Sequence, residues 1–187
     1  MNDAPKWLPP FPYGASAAQD TAATVVTPLL AGFALTLIGL VIASEDRFRW
    51  PGFTVLLLTG AVVLLVHAVQ LGIWMRQYAV RPDELREWRP DLDAAGLANI
   101  QRGHLVEQRK WRNLFAAAYH AGIVLLLFGL AAALAPADDV AGELRWIAAG
   151  VAVLDALAEV TWLLFRPPAD AGRTPPEKLR VPPPAAQ

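Results

Sequence analysis

Long uninterrupted runs of apolar residues alternate with polar segments along this 187-residue chain. A helix needs roughly 20 apolar residues to cross a hydrocarbon core of ~30 Å, and four runs reach that length. Because a spanning segment must satisfy its own backbone hydrogen bonds, helices are expected, and the runs lack the alternation typical of a β-barrel. The pattern therefore predicts an all-α, integral membrane four-helix bundle with spans at about 23–43, 52–74, 114–135 and 146–165.

The basic residues in the polar segments predict the orientation of the spans, because cytoplasmic loops carry an excess of Lys and Arg. The loop 76–113 holds eight, the N-terminal tail one and the C-terminal tail four, against three in the other two loops together. Both termini are therefore expected in the cytoplasm. Arg outnumbers Lys by 13 to 3, and Ala and Pro are abundant, which favours GC-rich coding and a multi-pass protein of a bacterial plasma (inner) membrane.

Three polar segments accompany the spans. Residues 1–22 form a tail rich in Pro and aromatic residues, and the proline density of its first half excludes a helix there. Residues 166–187 form a second Pro-rich tail, expected to be disordered and extended. In the loop 76–113 the pattern predicts a short helix after Pro82 and a second helix from Asp91 that continues into the third span.

Composition and missing motifs exclude several function classes. A net charge of −1 gives no basic surface for a nucleic acid, and the absence of Cys excludes disulfides and thiolate chemistry. No phosphate-binding loop and no Ser/His/Asp arrangement occur, and no soluble domain is present to hold a site. We therefore expect neither an enzyme nor a cofactor.

Five residues with imidazole, amide or carboxyl side chains lie within the apolar spans, and they are the candidate site. Converted to depth at 1.5 Å per residue, they fall about 8 to 16 Å from the inner ends of their spans. Groups this deep usually face the interior of a bundle, since a charge at mid-membrane costs about 2.5–3.5 kcal/mol on insertion scales. The sequence thus predicts one buried intramembrane polar cluster: His67, Gln70, His120, Asp155 and Glu159.

Three interpretations of this cluster stay open at this point. His and carboxylate groups at membrane depth are the usual parts of a proton or cation relay. Two imidazoles and two carboxylates, from His67, His120, Asp155 and Glu159, also suit a divalent metal ion. The third interpretation is a structural ion pair between helices. In the loop, Asp91 with Asp93 and His104 with Glu107 have ligand-like spacing, but such pairs arise often in charged segments.

Two short stretches resemble the Orai calcium-channel family. The stretch 29–34, Leu-Leu-Ala-Gly-Phe-Ala, is similar to part of the first Orai span, and 51–52 with 63–67 is similar to the second. The resemblance implies four spans with both termini inside the cell. The selectivity-filter glutamate of Orai proteins corresponds to Leu40 here, and the first span holds no carboxylate. The resemblance is therefore one of architecture.

Two function classes follow. The first is an oligomeric ion-conducting or proton-transporting protein that uses the intramembrane cluster, since one four-helix bundle leaves little lumen. The second is a membrane scaffold or partner subunit that acts through the loop 76–113 and the Pro-rich tails. The expected partners are the lipid bilayer and either further copies of the chain or another membrane protein.

Overall fold

The computed structural model describes residues 15–137 and 142–165, and within these ranges it is helical without a β-sheet. The helices are α1 (Ala15–Thr21), α2 (Thr27–Ala43), α3 (Pro51–Gln77), α4 (Pro82–Trp88), α5 (Ala94–Leu134) and α6 (Gly142–Phe165). A π-helical segment, Ala22–Val26, joins α1 to α2. Four helical stretches are long and apolar enough to cross a membrane: Ala17–Ala43, α3, α5 and α6.

These helices confirm the predicted all-α class and the presence of four candidate spans. The first helix begins earlier than the predicted residue 23, because the polar residues that precede the apolar run continue it as α1. Residues 1–14 and 166–187, which hold the proline clusters of both tails, lie outside the described residues.

The π-helical segment has a local cause in Pro28, which follows it directly. A proline inside a helix cannot donate a backbone hydrogen bond, and its ring clashes with the preceding turn. A one-residue widening relieves this, as π-bulges do within α-helices. The hydroxyl and the backbone N–H of Thr27 both donate to the carbonyl of Ala22, five residues back, so the widened turn keeps its hydrogen bonds.

The most extensive packing in the described residues joins α3 to α5. Leu58 and Leu65 of α3 are completely buried and press against Gly129 and Gly122 of α5. A Cβ atom added at Gly129 would lie 2.7 Å from the Leu58 Cδ2 atom, and one added at Gly122 would lie 2.9 Å from the Leu65 Cγ atom. The two glycines therefore form notches that receive the leucines. Small residues commonly allow such close approach between membrane helices.

The four spanning helices pack side by side in the order α2, α3, α5 and α6. Helix α2 packs mainly on α3, α3 on α5, and α6 on α5. Ala34 of α2 completes the core around Leu58 and Ala61 of α3, and Ala23 packs against Gly72 at the other end of α3. Helix α6 thus lies at one edge of the described molecule, where most of its outward residues are exposed.

The loop region contains the two predicted helices. Helix α4 begins at Pro82, and the Glu84 carboxylate accepts a hydrogen bond from the Arg81 backbone N–H. The Asp93 carboxylate caps α5 by accepting from the Gly96 N–H at 2.8 Å. Helix α5 then runs for 41 residues without interruption. The expected helix from this loop into the third span is therefore observed, although it starts three residues after Asp91.

Candidate site in the membrane-spanning helices

A hydrogen bond between an imidazole and a carboxylate joins α5 to α6. The Nδ1 atom of His120 and the Oε1 atom of Glu159 are the partners, and the side chains are 17% and 24% exposed. Glu159 lies six residues from the end of α6, which is about 9 Å along the helix axis. The pair is thus a polar contact between spans at membrane depth.

Aromatic rings connect this pair to the packed core. The ring of Tyr119 meets the His120 ring edge-on at 5.4 Å between centroids. On its other side, Tyr119 stacks on Phe115 at 5.8 Å, and Phe115 is buried against Ala23 and Ala68. The imidazole orientation is therefore restricted both by its carboxylate partner and by a ring that is itself held by the core.

His67 and Gln70 lie on the outward face of α3. Their neighbours on that stripe are exposed as well, with Val63 at 49% and Trp74 at 49%. The opposite stripe of α3 packs inward: Thr54, Leu58, Ala61, Leu65, Ala68, Gly72 and Met75. The His67 Nδ1–H donates to the Val63 carbonyl at 2.8 Å, since a carbonyl can only accept, and this leaves Nε2 as an acceptor in the neutral ring.

Asp155 is exposed on α6, one helical turn from Glu159. Its buried neighbours on the helix are Ala152 and Ala156, which face α5. A charged side chain that faces lipid is costly, so its position on an outward surface of a single chain is unusual for a spanning helix.

The five predicted site residues are therefore not assembled into one buried cluster within a single chain. The structure brings His120 and Glu159 together and leaves His67, Gln70 and Asp155 exposed on outward surfaces. Across residues 15–137 and 142–165, no three His, Asp or Glu side chains are grouped so that they could hold a metal ion. A four-ligand metal site from His67, His120, Asp155 and Glu159 is thus not formed there.

Three of the four residues in the ligand-like loop pairs, Asp91, Asp93 and His104, make structural contacts. The Arg89 guanidinium donates two hydrogen bonds of 3.0 Å to the Asp91 carboxylate and thereby lowers its pKa. Asp93 caps α5, and the His104 ring meets Tyr78 edge-on at 6.0 Å. Neither Asp91 nor Asp93 is needed as a metal ligand to explain its position.

An apolar groove between α3, α5 and α6 was missed by sequence reasoning. Its volume is about 680 Å³, within the usual range for ligand pockets. All its lining residues are apolar: Trp50, Phe53, Leu57, Phe128, Ala131, Ala132, Ala135, Trp146, Ala149, Gly150, Val153 and Leu154. The Arg49 guanidinium lies over two of these rings, 5.4 Å from the Trp50 centroid and 5.6 Å from that of Trp146. The sequence held one indication of the groove, because Trp50 and Trp146 lie at the starts of two spans that begin on the same side of the membrane.

Polar contacts fix the backbone at this end of the molecule. The Arg145 guanidinium donates to the carbonyls of Leu134 and Ala133, at 3.2 and 3.4 Å, and so satisfies the last turn of α5. Phe48 pairs with Pro136 in an isolated antiparallel bridge. The start of α3, the end of α5 and the start of α6 are thereby held around the groove.

Comparison with known proteins gives no family for this chain. No protein-family model, no curated protein and no solved structure matches it. The resemblance to Orai proteins therefore stays a prediction. Four long apolar helices identify a multi-pass membrane protein, and the pair of His120 and Glu159 is a polar side-chain contact between two of them.

Proposed function

We propose that the protein is a homo-oligomeric membrane transporter of protons, or of a cation coupled to protons, with His120 and Glu159 as its protonatable site. The observation that carries the proposal is their hydrogen bond between two spanning helices. Imidazole changes charge near neutral pH, and ionisable groups at membrane depth commonly mark ion or proton pathways.

The chemistry of the pair supports proton exchange. When the carboxylate is ionised, the imidazole N–H donates to it; when the carboxyl group is protonated, its O–H donates to the imidazole nitrogen. The same two atoms stay in contact in both states, so a proton can arrive or leave without separating the helices. Asp155 lies one turn, about 6 Å, along α6 and offers the next carboxylate on that helix.

Two outward-facing polar residues support an oligomer. Asp155 lies ten residues before the end of α6, and His67 lies ten residues before the end of α3. Both are thus about 15 Å from the helix ends that lead away from the groove. In a single chain both face lipid, which is costly for Asp155. A neighbouring copy that presents its His67 to Asp155 pairs an acceptor-only carboxylate with a protonatable ring.

Proton flux into liposomes tests the proposal. The full chain is reconstituted with a pH-sensitive dye inside, and an imposed potential drives uptake. We expect flux in the wild type, a fall to the background rate in Glu159→Gln, and a strong fall in His120→Gln. The matched control is Glu143→Gln, which makes the same change in the first turn of α6 and should conduct like the wild type.

Folding of each variant is measured in the same detergent by thermal unfolding, so that a lost flux is attributed correctly. Glu159→Asp keeps the carboxylate and should recover part of the flux. An absence of proton or cation flux from folded wild-type protein would overturn the transport proposal and leave the pair as a structural contact.

A second candidate function is a membrane scaffold or partner subunit. It is favoured by exposed apolar side chains in the region 76–113, with Trp88 of α4 at 73% and Val106 of α5 at 66% exposure. The double substitution Trp88→Ala with Val106→Ala would abolish partner capture in a scaffold. The same substitution should leave proton flux unchanged in a transporter.

A further inference from the structure

We infer that the apolar groove between α3, α5 and α6 binds one acyl chain of an anionic phospholipid, with Arg49 pairing with the phosphate. This site is separate from the His120–Glu159 pair and does not depend on the proposed transport function. The groove is apolar, extends into the membrane and has a cation at its mouth.

The groove has the position and composition that an acyl chain requires. Its mouth lies at Trp50 and Trp146, residues of a type that prefers the boundary between headgroups and hydrocarbon. From Trp146 to Leu154 it follows α6 for about 12 Å towards the middle of the membrane. Apart from the indole N–H groups of Trp50 and Trp146 at its mouth, the lining side chains carry no polar group that a hydrocarbon chain would leave without a hydrogen-bond partner.

Arg49 supplies the charge that selects an anionic headgroup. Its guanidinium lies over Trp50 and Trp146 together, so the cation is held directly at the rim of the groove. Guanidinium groups suit phosphate because their planar set of N–H donors can bind two phosphate oxygens at once. Helices α3 and α6 both begin at this end, and helix N-termini favour anions.

Three acidic side chains of the described residues lie at the same end of the molecule as the groove mouth. Glu45 and Asp46 form the turn after α2, and Glu143 lies in the first turn of α6; all three are exposed. Because these carboxylates would repel an anion, the selectivity for an anion is assigned to Arg49, whose guanidinium lies over the two rings.

Gly150 gives a direct way to fill the groove. A Cβ atom added there meets no other atom within 4 Å, so a larger side chain can enter the groove without moving the backbone. Gly39 of α2 provides a matched control, because a Cβ atom there also meets nothing within 4 Å, and it does not line the groove. Arg47 is the corresponding control for Arg49, as a second exposed arginine of the same loop.

The experiment measures quenching of Trp fluorescence by brominated lipids. The full chain is placed in nanodiscs of phosphatidylcholine that contain a small fraction of either brominated phosphatidylglycerol or brominated phosphatidylcholine. We expect the relative association constant of wild-type protein for phosphatidylglycerol to be about fivefold higher, which is the effect of one basic residue near an anionic lipid surface. Arg49→Gln should remove this preference, and Arg47→Gln should retain it.

Filling the groove separates this site from ordinary lipid contact. In Gly150→Leu, both brominated lipids should quench the Trp fluorescence less than in the wild type. In Gly39→Leu, the quenching should equal that of the wild type. Replacing Trp50 and Trp146 together by Phe should remove the phosphatidylglycerol-specific part of the signal. Equal quenching of wild type by both lipids, or unchanged quenching in Gly150→Leu, would overturn the inference. If both lipids quench the wild-type protein only weakly, and Gly150→Leu forms a smaller oligomer than the wild type, a second copy of the chain covers the groove instead.

Discussion

The two sides of α5 are built differently. On the side that faces α3, buried leucines enter glycine notches, and Leu58 and Leu65 are completely buried. On the side that faces α6, the contact includes the polar pair of His120 and Glu159, and an apolar groove remains open beside it. Helix α5 therefore packs on α3 through the close fit of apolar side chains, and on α6 partly through a hydrogen bond between polar side chains.

This difference follows from the solvent. Lipid tails are as apolar as leucine, so helices in a membrane gain little by hiding apolar surface, and they associate through close packing and interhelical hydrogen bonds. The α3–α5 interface uses the first of these means, and the α5–α6 interface relies more on the second. We therefore expect substitutions that change volume to matter most on the α3 side, and substitutions that change polarity to matter most on the α6 side.

The largest expected effect is overpacking at Gly129. The added methyl group of Gly129→Ala would lie 2.7 Å from Leu58, which is buried and has little room to move. We expect a loss of about 1–3 kcal/mol in the free energy of unfolding, typical of overpacked cores. Gly150→Ala adds the same methyl group to α6 in open space and reports the helix-propensity effect alone. Unfolding in mixed detergent measures both, and equal stability of the two variants would contradict the contrast between the interfaces.

The next effect concerns the polar contact on the α6 side. A double-mutant cycle with His120→Ala and Glu159→Ala should give a coupling free energy of about 0.6–1.7 kcal/mol, the range for hydrogen bonds between membrane helices. The matched cycle pairs His120→Ala with Asp155→Ala, where the structure gives no hydrogen bond between the described side chains. Coupling of similar size in both cycles would show that the effect is not specific to the observed contact.

A smaller effect is expected for the exposed ion pair that joins α1 to α3. Asp20 of α1 accepts a hydrogen bond of 2.8 Å from the Arg76 Nε atom, and the side chains are 50% and 39% exposed. Exposed pairs of this kind contribute about 0.2–1 kcal/mol and are weakened by salt. Asp20→Asn should therefore destabilise the protein less than Gly129→Ala does, and the difference from wild type should shrink in 1 M salt. A larger cost than that of Gly129→Ala would contradict the expectation that close packing stabilises the protein more than an exposed ion pair does.

The smallest effect provides a water-exposed reference for the intramembrane pair. Because Arg89 donates hydrogen bonds to the Asp91 carboxylate, the pKa of Asp91 lies below its ordinary value in the folded state. The resulting stabilisation is present above the unfolded pKa and is lost as pH falls through the lower folded pKa. Carbon-detected NMR titration of Asp91 should show the lowered pKa, and Arg89→Gln should return it to the ordinary value.

The candidate site shows where sequence reasoning was sufficient and where it was not. The spacing of His67, Gln70 and Trp74 correctly placed them on one stripe of α3. Which way the stripe faces could not be read from polarity, because the positions of Gly122 and Gly129 on α5 determine which side of α3 packs closely. On α6, Glu159 lies towards the buried side and Asp155 towards lipid, although they are one turn apart.

The sequence by itself determined the parts of this protein that depend on one segment at a time. Apolar run lengths specify the four spans, Pro28 explains the widened turn in the first helix, and an N-cap carboxylate at Asp93 starts α5. Tertiary structure alone decided which helices are neighbours, that His120 meets Glu159, and that an apolar groove with Arg49 at its mouth remains open. The physical reason is that these features arise from the fit between side chains on different helices, and a uniform apolar pattern leaves that fit undetermined.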